Sequence, residues 1–281
     1  MPKYGAHAYL WITEWSVEKG NLAINAAAKA GYDFIELPLY RPADFDAKAH
    51  KRVLKDTGLG ASGTVVLPPN SHMPENPAAA KKFLISALDK LEALGGFLLC
   101  GCTAYELEKF TGKPPTKDER QVVIETMGEV AQEAEKRGIM LTLEVLNRYE
   151  TYLYNTLADT RETILATGSK NFKIHADSYH MNIEEDSFYE PLVQCADELG
   201  YMHISESHRG IPGTGTVNWE EVFRGLKDAH YKGPLVFEGF LNVSPDIMAA
   251  TKMWRPLKVD PHIVASKALT FMREYAQKYN L

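Results

Sequence analysis

The chain alternates between short apolar runs and longer segments in which apolar residues recur every three or four positions. Short apolar runs are typical of buried β-strands, and the longer period is typical of amphipathic helices. Predicted strands occupy eight runs, at residues 4–11, 33–39, 59–66, 96–102, 139–145, 172–177, 201–205 and 234–240. Segments such as ERQVVIETMGEVAQEAEKRG lie between these runs and predict helices, several of which end on a glycine after a basic last turn.

The order of these elements predicts the fold. Eight strands that alternate with helices predict an α/β protein of the (β/α)8 TIM barrel type, in which the active site lies at the carboxyl ends of the strands. A doubly wound open sheet is the alternative, but no GxGxxG motif follows the first strand. The sequence shows no linker and no repeat, so we expect one single domain over residues 1–281.

Composition narrows the class of partner. The formal charge of −6 gives the chain no general attraction to nucleic acid or to anionic lipid. No apolar run is long enough to cross a bilayer, and the N-terminus lacks the apolar core of a signal peptide. Three cysteines without CxxC spacing fit a reducing compartment. We therefore expect a cytoplasmic protein that binds neither nucleic acid nor membranes.

Polar residues near the ends of the last four predicted strands share one orientation. Along a barrel strand, alternate side chains face the surrounding helices and the barrel interior. In the run 139–145, Leu141 and Leu143 take the helix side, which turns Glu144 inward. The same alternation in the following runs turns further polar residues into the same mouth. The resulting set is Glu144, Asp177, His203 and Glu238.

This set of side chains predicts a metal site. Three converging carboxylates repel one another and cannot all stay ionised unless a cation neutralises them. Three carboxylates and one imidazole, without a thiolate, suit Mn²⁺, Mg²⁺ or Co²⁺ better than a structural zinc. The alternative for each single residue is a helix cap or an ion-pair partner. His175, one layer deeper, is either a core histidine or part of the site.

Several motifs in the second half of the chain resemble those of the ketose 3-epimerases, the D-tagatose and D-psicose (D-allulose) 3-epimerase family within the xylose-isomerase-like barrels. These motifs are LEVLNRYE (143–150), DSYHMNIEEDSF (177–188), HISESHR (203–209) with the following GIPGTGTVNWEEVF, VFEGF (236–240) and KMWRPL (252–257). Upstream of residue 140 the resemblance is weaker and depends mainly on the first strand and TEWS (13–16).

The resemblance implies a metal-dependent isomerase that epimerises free ketoses at C3, such as D-tagatose, D-fructose, D-psicose or L-ribulose. It also implies a homodimer or homotetramer. From the resemblance together with the ligand set, we expect a divalent metal, Mn²⁺ first, with Co²⁺ or Mg²⁺ as alternatives. By resemblance, Glu144, Asp177, His203 and Glu238 bind the metal, Glu144 and Glu238 are the catalytic acid/bases, and Glu150, His180 and Arg209 hold the C1 to C3 end of the substrate.

Two positions depart from the family pattern. His7 takes the place of an aromatic residue in the first strand, and the tryptophan that follows strand 4 in the family has no clear counterpart. Tyr105 or Phe110 is the nearest candidate. We expect His7 and Tyr105 to line the distal part of the sugar pocket, which leaves the preferred ketose open. A polar residue at the barrel floor is the alternative for His7.

Three alternative functions differ from an epimerase in what they require of the sequence. A hydroxypyruvate or xylose isomerase-like enzyme would keep the metal but move the proton between C1 and C2. An AP endonuclease-like phosphodiesterase needs more histidine ligands and a basic face, and neither is evident. A barrel that binds sugar without turnover does not need two carboxylates beside the metal. The glycines of GIPGTG (210–215) either bind a phosphate group or form a flexible connection.

Overall fold

The protein is a closed barrel of eight parallel strands that pair in chain order, so the predicted TIM barrel is confirmed. This computed structural model describes residues 1–241, 244–255, 257 and 259–281, and Pro256 of the KMWRPL motif lies outside them. The strands are β1 (Tyr4–His7), β2 (Phe34–Pro38), β3 (Gly60–Val66), β4 (Leu98–Cys102), β5 (Met140–Glu144), β6 (Phe172–Asp177), β7 (Leu199–Ile204) and β8 (Leu235–Phe237).

Helices cover the outside of the barrel. They are α1 (Val17–Ala30), α2 (Ala47–Thr57), α3 (Pro77–Leu94), α4 (Lys117–Lys136), α5 (Leu157–Thr167), α6 (Ser178–Glu184), α7 (Tyr189–Gln194), α8 (Trp219–Asp228), α9 (Pro245–Thr251) and α10 (Pro261–Tyr279). Local sequence sets their ends: α4 begins with a capping box formed by Thr116 and Glu119, and α1 ends at Gly31 in the left-handed conformation. Within the described residues, no helix is both long and apolar enough to span a bilayer.

Two strands are each four residues shorter than the sequence predicts. The run 4–11 leaves the sheet after His7, whose imidazole Nδ1 accepts a hydrogen bond from the Tyr9 amide at 3.2 Å and so caps a 3-10 turn over Ala8–Leu10. At the other end of the chain, β8 stops at Phe237, so that Glu238 lies one residue beyond the strand. Both ends lie at the mouth of the barrel, where the chain must leave the sheet to form the site.

Alternation along the strands separates two apolar regions. The helix-facing residues of β5 and β6 belong to the large outer core. A second, small cluster fills the barrel interior and consists of Phe34, Leu98, Cys100, Tyr201 and Val236. The Phe34 ring takes up the space where a Cβ on Gly5 would be, which is why the facing strand carries a glycine. This cluster closes the amino end of the barrel, so the inward polar residues near the carboxyl ends lie above an apolar floor.

Candidate active site

The structure brings the four predicted metal ligands together at the mouth of the barrel. Glu144 ends β5, Asp177 ends β6, His203 lies in β7 and Glu238 follows β8. All four side chains are buried. Nδ1 of His203 lies 3.6 Å from a carboxylate oxygen of Glu238 and 3.8 Å from one oxygen each of Glu144 and Asp177. One imidazole nitrogen therefore faces three carboxylates contributed by three other strands or strand ends.

The cluster fits a divalent cation. Nδ1 of His203 and Oδ2 of Asp177 are buried and have no hydrogen-bond partner within the described part of the chain. Buried polar atoms without a partner are rare in folded proteins. Ligand atoms that each lie ~2.1 Å from an ion are separated by roughly 3 to 4 Å, and the observed separations fall in that range. A cation at this position would satisfy both atoms and offset the carboxylate charge.

Glu36 orients the histidine of this cluster. Nε2 of His203 lies 3.1 Å from Oε2 of Glu36, which also accepts hydrogen bonds from Tyr201 at 2.7 Å and from the Cys100 thiol at 3.0 Å. A carboxylate that accepts a hydrogen bond from the Nε2–H group leaves Nδ1 free to bind a metal. Burial favours a neutral His203, but the carboxylates of Glu36 and Glu238 raise its pKa well above the usual value. A cation bound at Nδ1 would displace that extra proton.

The carboxylates of the cluster differ in their acidity. Burial raises the pKa of Glu144 well above its ordinary value, and the negative charge of Glu238 adds to the effect. Burial also raises the pKa of Glu238, to about 7, although its ion pair with Arg209 works against that shift. Burial opposes the ionisation of Asp177 too, but His203 and Arg209 lower its pKa overall. Without a cation, the cluster therefore does not hold all its carboxylates in the charged form.

Two hydrogen-bond donors face the same cluster. The backbone amide of Asn147 donates to Nδ1 of His180 at 3.0 Å, so a neutral His180 carries its proton on Nε2. Burial lowers the pKa of His180 and so favours this neutral form. Nη2 of Arg209 lies 3.3 Å from that Nε2 and 3.7 Å from an oxygen of Glu150. An oxygen atom of a bound molecule can accept from both donors while Glu150 accepts from a neighbouring hydroxyl.

A cavity of about 110 Å³ contains these groups. The polar part of its wall includes Glu144, Glu150, His180, Arg209 and Glu238. The remaining wall is largely apolar or aromatic and includes Tyr9, Tyr40, Leu107, Phe240 and Ile247. A second cavity of about 520 Å³, around Trp15 and Arg41, shares Tyr9, Tyr40 and Ile247 with the first. Polar groups on one side and flat apolar groups on the other suit a sugar.

The structure does not place His7 and Tyr105 on the wall of this cavity. His7 is buried behind it, with Nε2 3.8 Å from Glu36, because β1 ends there and the 3-10 turn carries Tyr9 to the wall instead. Tyr105 is fully buried, and its hydroxyl donates to the backbone carbonyl of Glu144. Tyr105 therefore supports the strand end from behind. Tyr9 and Leu107 line the cavity, and the substrate contacts expected at His7 and Tyr105 stay predictions.

His175 belongs to the interior beneath the cluster. It is fully buried, and its ring packs edge-on against those of His203 and Tyr201, with centroids 4.1 Å and 4.9 Å away. Neither ring nitrogen has a hydrogen-bond partner within the described residues, and Nδ1 lies 3.8 Å from Glu144. Burial lowers the pKa of His175 well below its usual value. A neutral His175 thus packs between His203 of the cluster and Tyr201 of the apolar barrel interior.

Comparison with known proteins gives consistent matches over nearly the whole chain. Residues 24–260 match the family described as the xylose isomerase-like TIM barrel. An L-ribulose 3-epimerase from Methylomonas sp. (strain DH-1) is 37% identical over 97% of each chain, and a ketose 3-epimerase from Arthrobacter globiformis is 35% identical over 97% of this chain and 96% of its own. A crystal structure of a D-allulose 3-epimerase from Methylomonas sp. in complex with D-allulose superimposes with a TM-score of 0.93, at 36% identity over 98% and 97% of the chains.

The hydrogen bond between Glu36 and His203 generates a prediction. Glu36→Gln should weaken Mn²⁺ binding by about 10- to 100-fold, because a neutral amide holds the Nε2 proton less firmly and leaves Nδ1 less basic. Titration of the metal-free protein, followed by electron paramagnetic resonance of free Mn²⁺, measures this affinity without any turnover. Glu198→Gln is the matched control, since Glu198 is a largely buried glutamate that pairs with Arg161 just before β7. Equal Mn²⁺ affinities in the two variants and the wild type would show that Glu36 does not orient the ligand.

Proposed function

The chain belongs to the ketose 3-epimerases within the xylose isomerase-like TIM barrel family, and on this premise we propose that it inverts C3 of a free ketose with two glutamates and a bound divalent cation. The observation that carries the proposal is the pair of buried glutamates, Glu144 and Glu238, that both lie within 4 Å of His203 Nδ1. Candidate substrates are L-ribulose, D-psicose, D-fructose and D-tagatose, and relatives are named for L-ribulose and D-psicose.

The reaction requires two bases. Inversion at C3 removes a proton next to the carbonyl and returns one to the opposite face of a planar enediolate. Glu144 is the last residue of β5, and Glu238 comes directly after β8. The two strands between them, β6 and β7, contribute Asp177 and His203. We assign one glutamate to each face of the sugar, so that one removes the proton from C3 while the other protonates it. A pKa of about 7 for Glu238 is suited to proton transfer near neutral pH.

The metal ligands are Glu144, Asp177, His203 and Glu238 in this proposal. A divalent cation held by these residues would supply polarisation of the ketose carbonyl and stabilisation of the enediolate charge. The oxygen-rich ligand set favours Mn²⁺, with Co²⁺ or Mg²⁺ as alternatives. Asp177 and His203 serve only as ligands, which leaves the two glutamates to move protons.

Three further residues orient the substrate in this proposal. His180, through its Nε2 proton, and Arg209 donate to oxygens at the C1 to C3 end of the ketose. Glu150 accepts from a hydroxyl at the same end. Fixing this end places C3, and not C1, next to the glutamates. Correct orientation of a reacting group raises a rate by several orders of magnitude. A homodimer or homotetramer and a cytoplasmic location stay predictions.

Metal removal tests the first part of the proposal. Dialysis against a chelator should abolish epimerisation, and Mn²⁺ or Co²⁺ should restore it, because the buried carboxylates need a cation to stay ionised. Metal content and thermal stability are measured on the same samples, so that loss of the ion is separated from loss of the fold. Full activity in protein shown to be free of metal would exclude the cation from the reaction.

The position of proton exchange tests the second part. In deuterated water, the product should carry deuterium at C3, because the glutamate that protonates C3 carries a proton taken from solvent. Carbon-13 and proton nuclear magnetic resonance locate the label. Label mainly at C1 or C2, accompanied by aldose, would instead identify an aldose–ketose isomerase of the hydroxypyruvate or xylose isomerase type.

Conservative substitution tests the two glutamates. Glu144→Gln and Glu238→Gln should each lower kcat by about 10²- to 10⁴-fold, since each keeps the shape of the side chain and a coordinating oxygen but removes the base. The double variant should be little worse than either single variant, because the pair acts as a unit.

The control for these variants is Glu198→Gln, which removes a glutamate ion pair before β7 without changing the cluster. Metal content must be determined beside the kinetics, because a variant that lost its ion would be inactive for another reason. A single variant that holds its metal and retains more than about a tenth of the wild-type rate would contradict the two-base mechanism.

A further inference from the structure

Glu206, in the loop after β7, accepts hydrogen bonds from four separate N–H groups. Oε1 accepts from the amides of Ser207 at 2.8 Å and Val217 at 3.2 Å. Oε2 accepts from the amide of Gly213 at 2.9 Å and from the indole of Trp219 at 3.1 Å. The residue is fully buried, and no lysine or arginine nitrogen within the described residues lies within 4 Å of its carboxylate. Its negative charge is therefore balanced by backbone and indole dipoles alone.

This loop has the form of an anion-binding turn. In TIM barrels, the loops after strands 7 and 8 often bind the phosphate group of a substrate through such amides. Here a carboxylate of the chain itself occupies the turn. A Cβ on Gly215 would clash with that carboxylate and with the Ser207 hydroxyl, so this glycine makes room for the internal anion. Burial opposes ionisation of Glu206, but the N–H donors lower its pKa overall.

The same loop carries Arg209. The Arg209 amide donates to the backbone carbonyl of Glu206 at 2.7 Å, which closes a tight turn, and Arg209 has a left-handed φ of 56°. Its backbone carbonyl accepts from the amide of Phe240 at 3.1 Å, which ties the loop to the segment after β8. A non-glycine residue in this region of φ is strained and persists only where its surroundings hold it. The backbone carbonyl of Glu206 gives part of that support directly, and the side chain of Glu206 fixes the loop on both sides of Arg209 through the amides of Ser207 and Gly213.

We propose that Glu206 is a positioning residue, an internal anion that fills the turn after β7 and holds Arg209 in the conformation that binds a ketose without a phosphate group. The role of Arg209 in this inference rests on the proposed function. With Glu206 in place, the amides of Ser207, Gly213 and Val217 are already bound to its carboxylate and are not available to an external phosphate. In this proposal the GIPGTG glycines belong to a turn that binds an internal carboxylate, whereas the sequence suggested either a phosphate site or a flexible connection.

The test compares Glu206→Ala, Glu206→Gln and the control Glu220→Ala. Glu220 lies in the first turn of α8, is exposed and pairs with Lys278, so its removal changes the charge equally and leaves the turn intact. Glu206→Ala should lower kcat/KM by about tenfold to a hundredfold, because Arg209 is no longer held against the substrate. Glu206→Gln should also lose activity, since its amide NH₂ faces N–H donors.

Anions provide a second readout that does not depend on turnover. Sodium formate and inorganic phosphate should raise the thermal midpoint of Glu206→Ala, and formate should recover part of its kcat/KM. Neither salt should do so for Glu206→Gln, in which the space is filled, or for the wild type and Glu220→Ala. Sodium chloride at the same ionic strength controls for general salt effects.

Any one of three results would overturn the proposal. A Glu206→Ala variant that is less stable but retains its kcat/KM within about twofold per folded molecule shows a structural role only, against the loss expected for a misplaced group. Absence of any specific formate or phosphate effect shows that the turn does not bind anions. Should the alanine variant not fold, an unchanged kcat/KM in Glu206→Gln overturns the proposal equally. If the proposed function itself is wrong, the wild type will exchange no hydrogen at C3 of any free ketose. The thermal midpoints of Glu206→Ala with formate or phosphate still test anion binding by the turn in that case.

Discussion

The concentration of buried negative charge at the mouth of the barrel constrains the rest of the site. Five acidic side chains lie buried in and around the cavity, and these are Glu36, Glu144, Glu150, Asp177 and Glu238. Arg209 forms an ion pair with Glu238 and also lies 3.7 Å from Glu150 and 3.8 Å from Asp177. Burial of unpaired carboxylates costs several kcal/mol each, and removing one partner of a buried pair leaves that cost uncompensated. These carboxylates stay ionised together only if a further positive charge neutralises them, and otherwise some of them take up a proton. This is the strongest physical reason to expect a cation here.

Two histidines at the cluster each present one defined ring nitrogen to it. An imidazole bound on one nitrogen presents a defined donor or acceptor with the other. Glu36 accepts from Nε2 of His203 and leaves Nδ1 as a ligand, whereas the Asn147 amide donates to Nδ1 of His180 and leaves an Nε2 donor. The cluster thus receives one acceptor and one donor nitrogen from two similar rings. The difference is set by groups behind the rings, outside the reach of a substrate.

The sequence was sufficient for the barrel and for the four clustered residues, because both follow from periodicity. Period-two alternation turns Glu144 inward whatever the loops do. The same alternation applies to Glu36 in β2, but its significance depends on a contact with His203, 167 positions away, that exists only once the barrel closes. Local hydrogen bonds decide where a strand ends. The side chain of His7 caps the turn that follows β1, and this turn brings Tyr9 to the cavity. In the same way, the glycine loop was ambiguous because Glu206, its partner, looks in the sequence like any polar loop residue.

The site is built from two parts of the fold, the ends of paired strands and the segments that follow them. The groups assigned to proton transfer and metal binding lie at strand ends, where hydrogen bonding to neighbouring strands limits their movement. The apolar wall comes from segments that follow strands, with Tyr9 after β1, Tyr40 after β2 and Phe240 after β8. Loops tolerate substitution far better than paired strands. A barrel built in this way can keep one reaction at its strand ends while the wall changes to fit the remainder of the sugar, which is the arrangement expected in a family whose members are named for different ketoses.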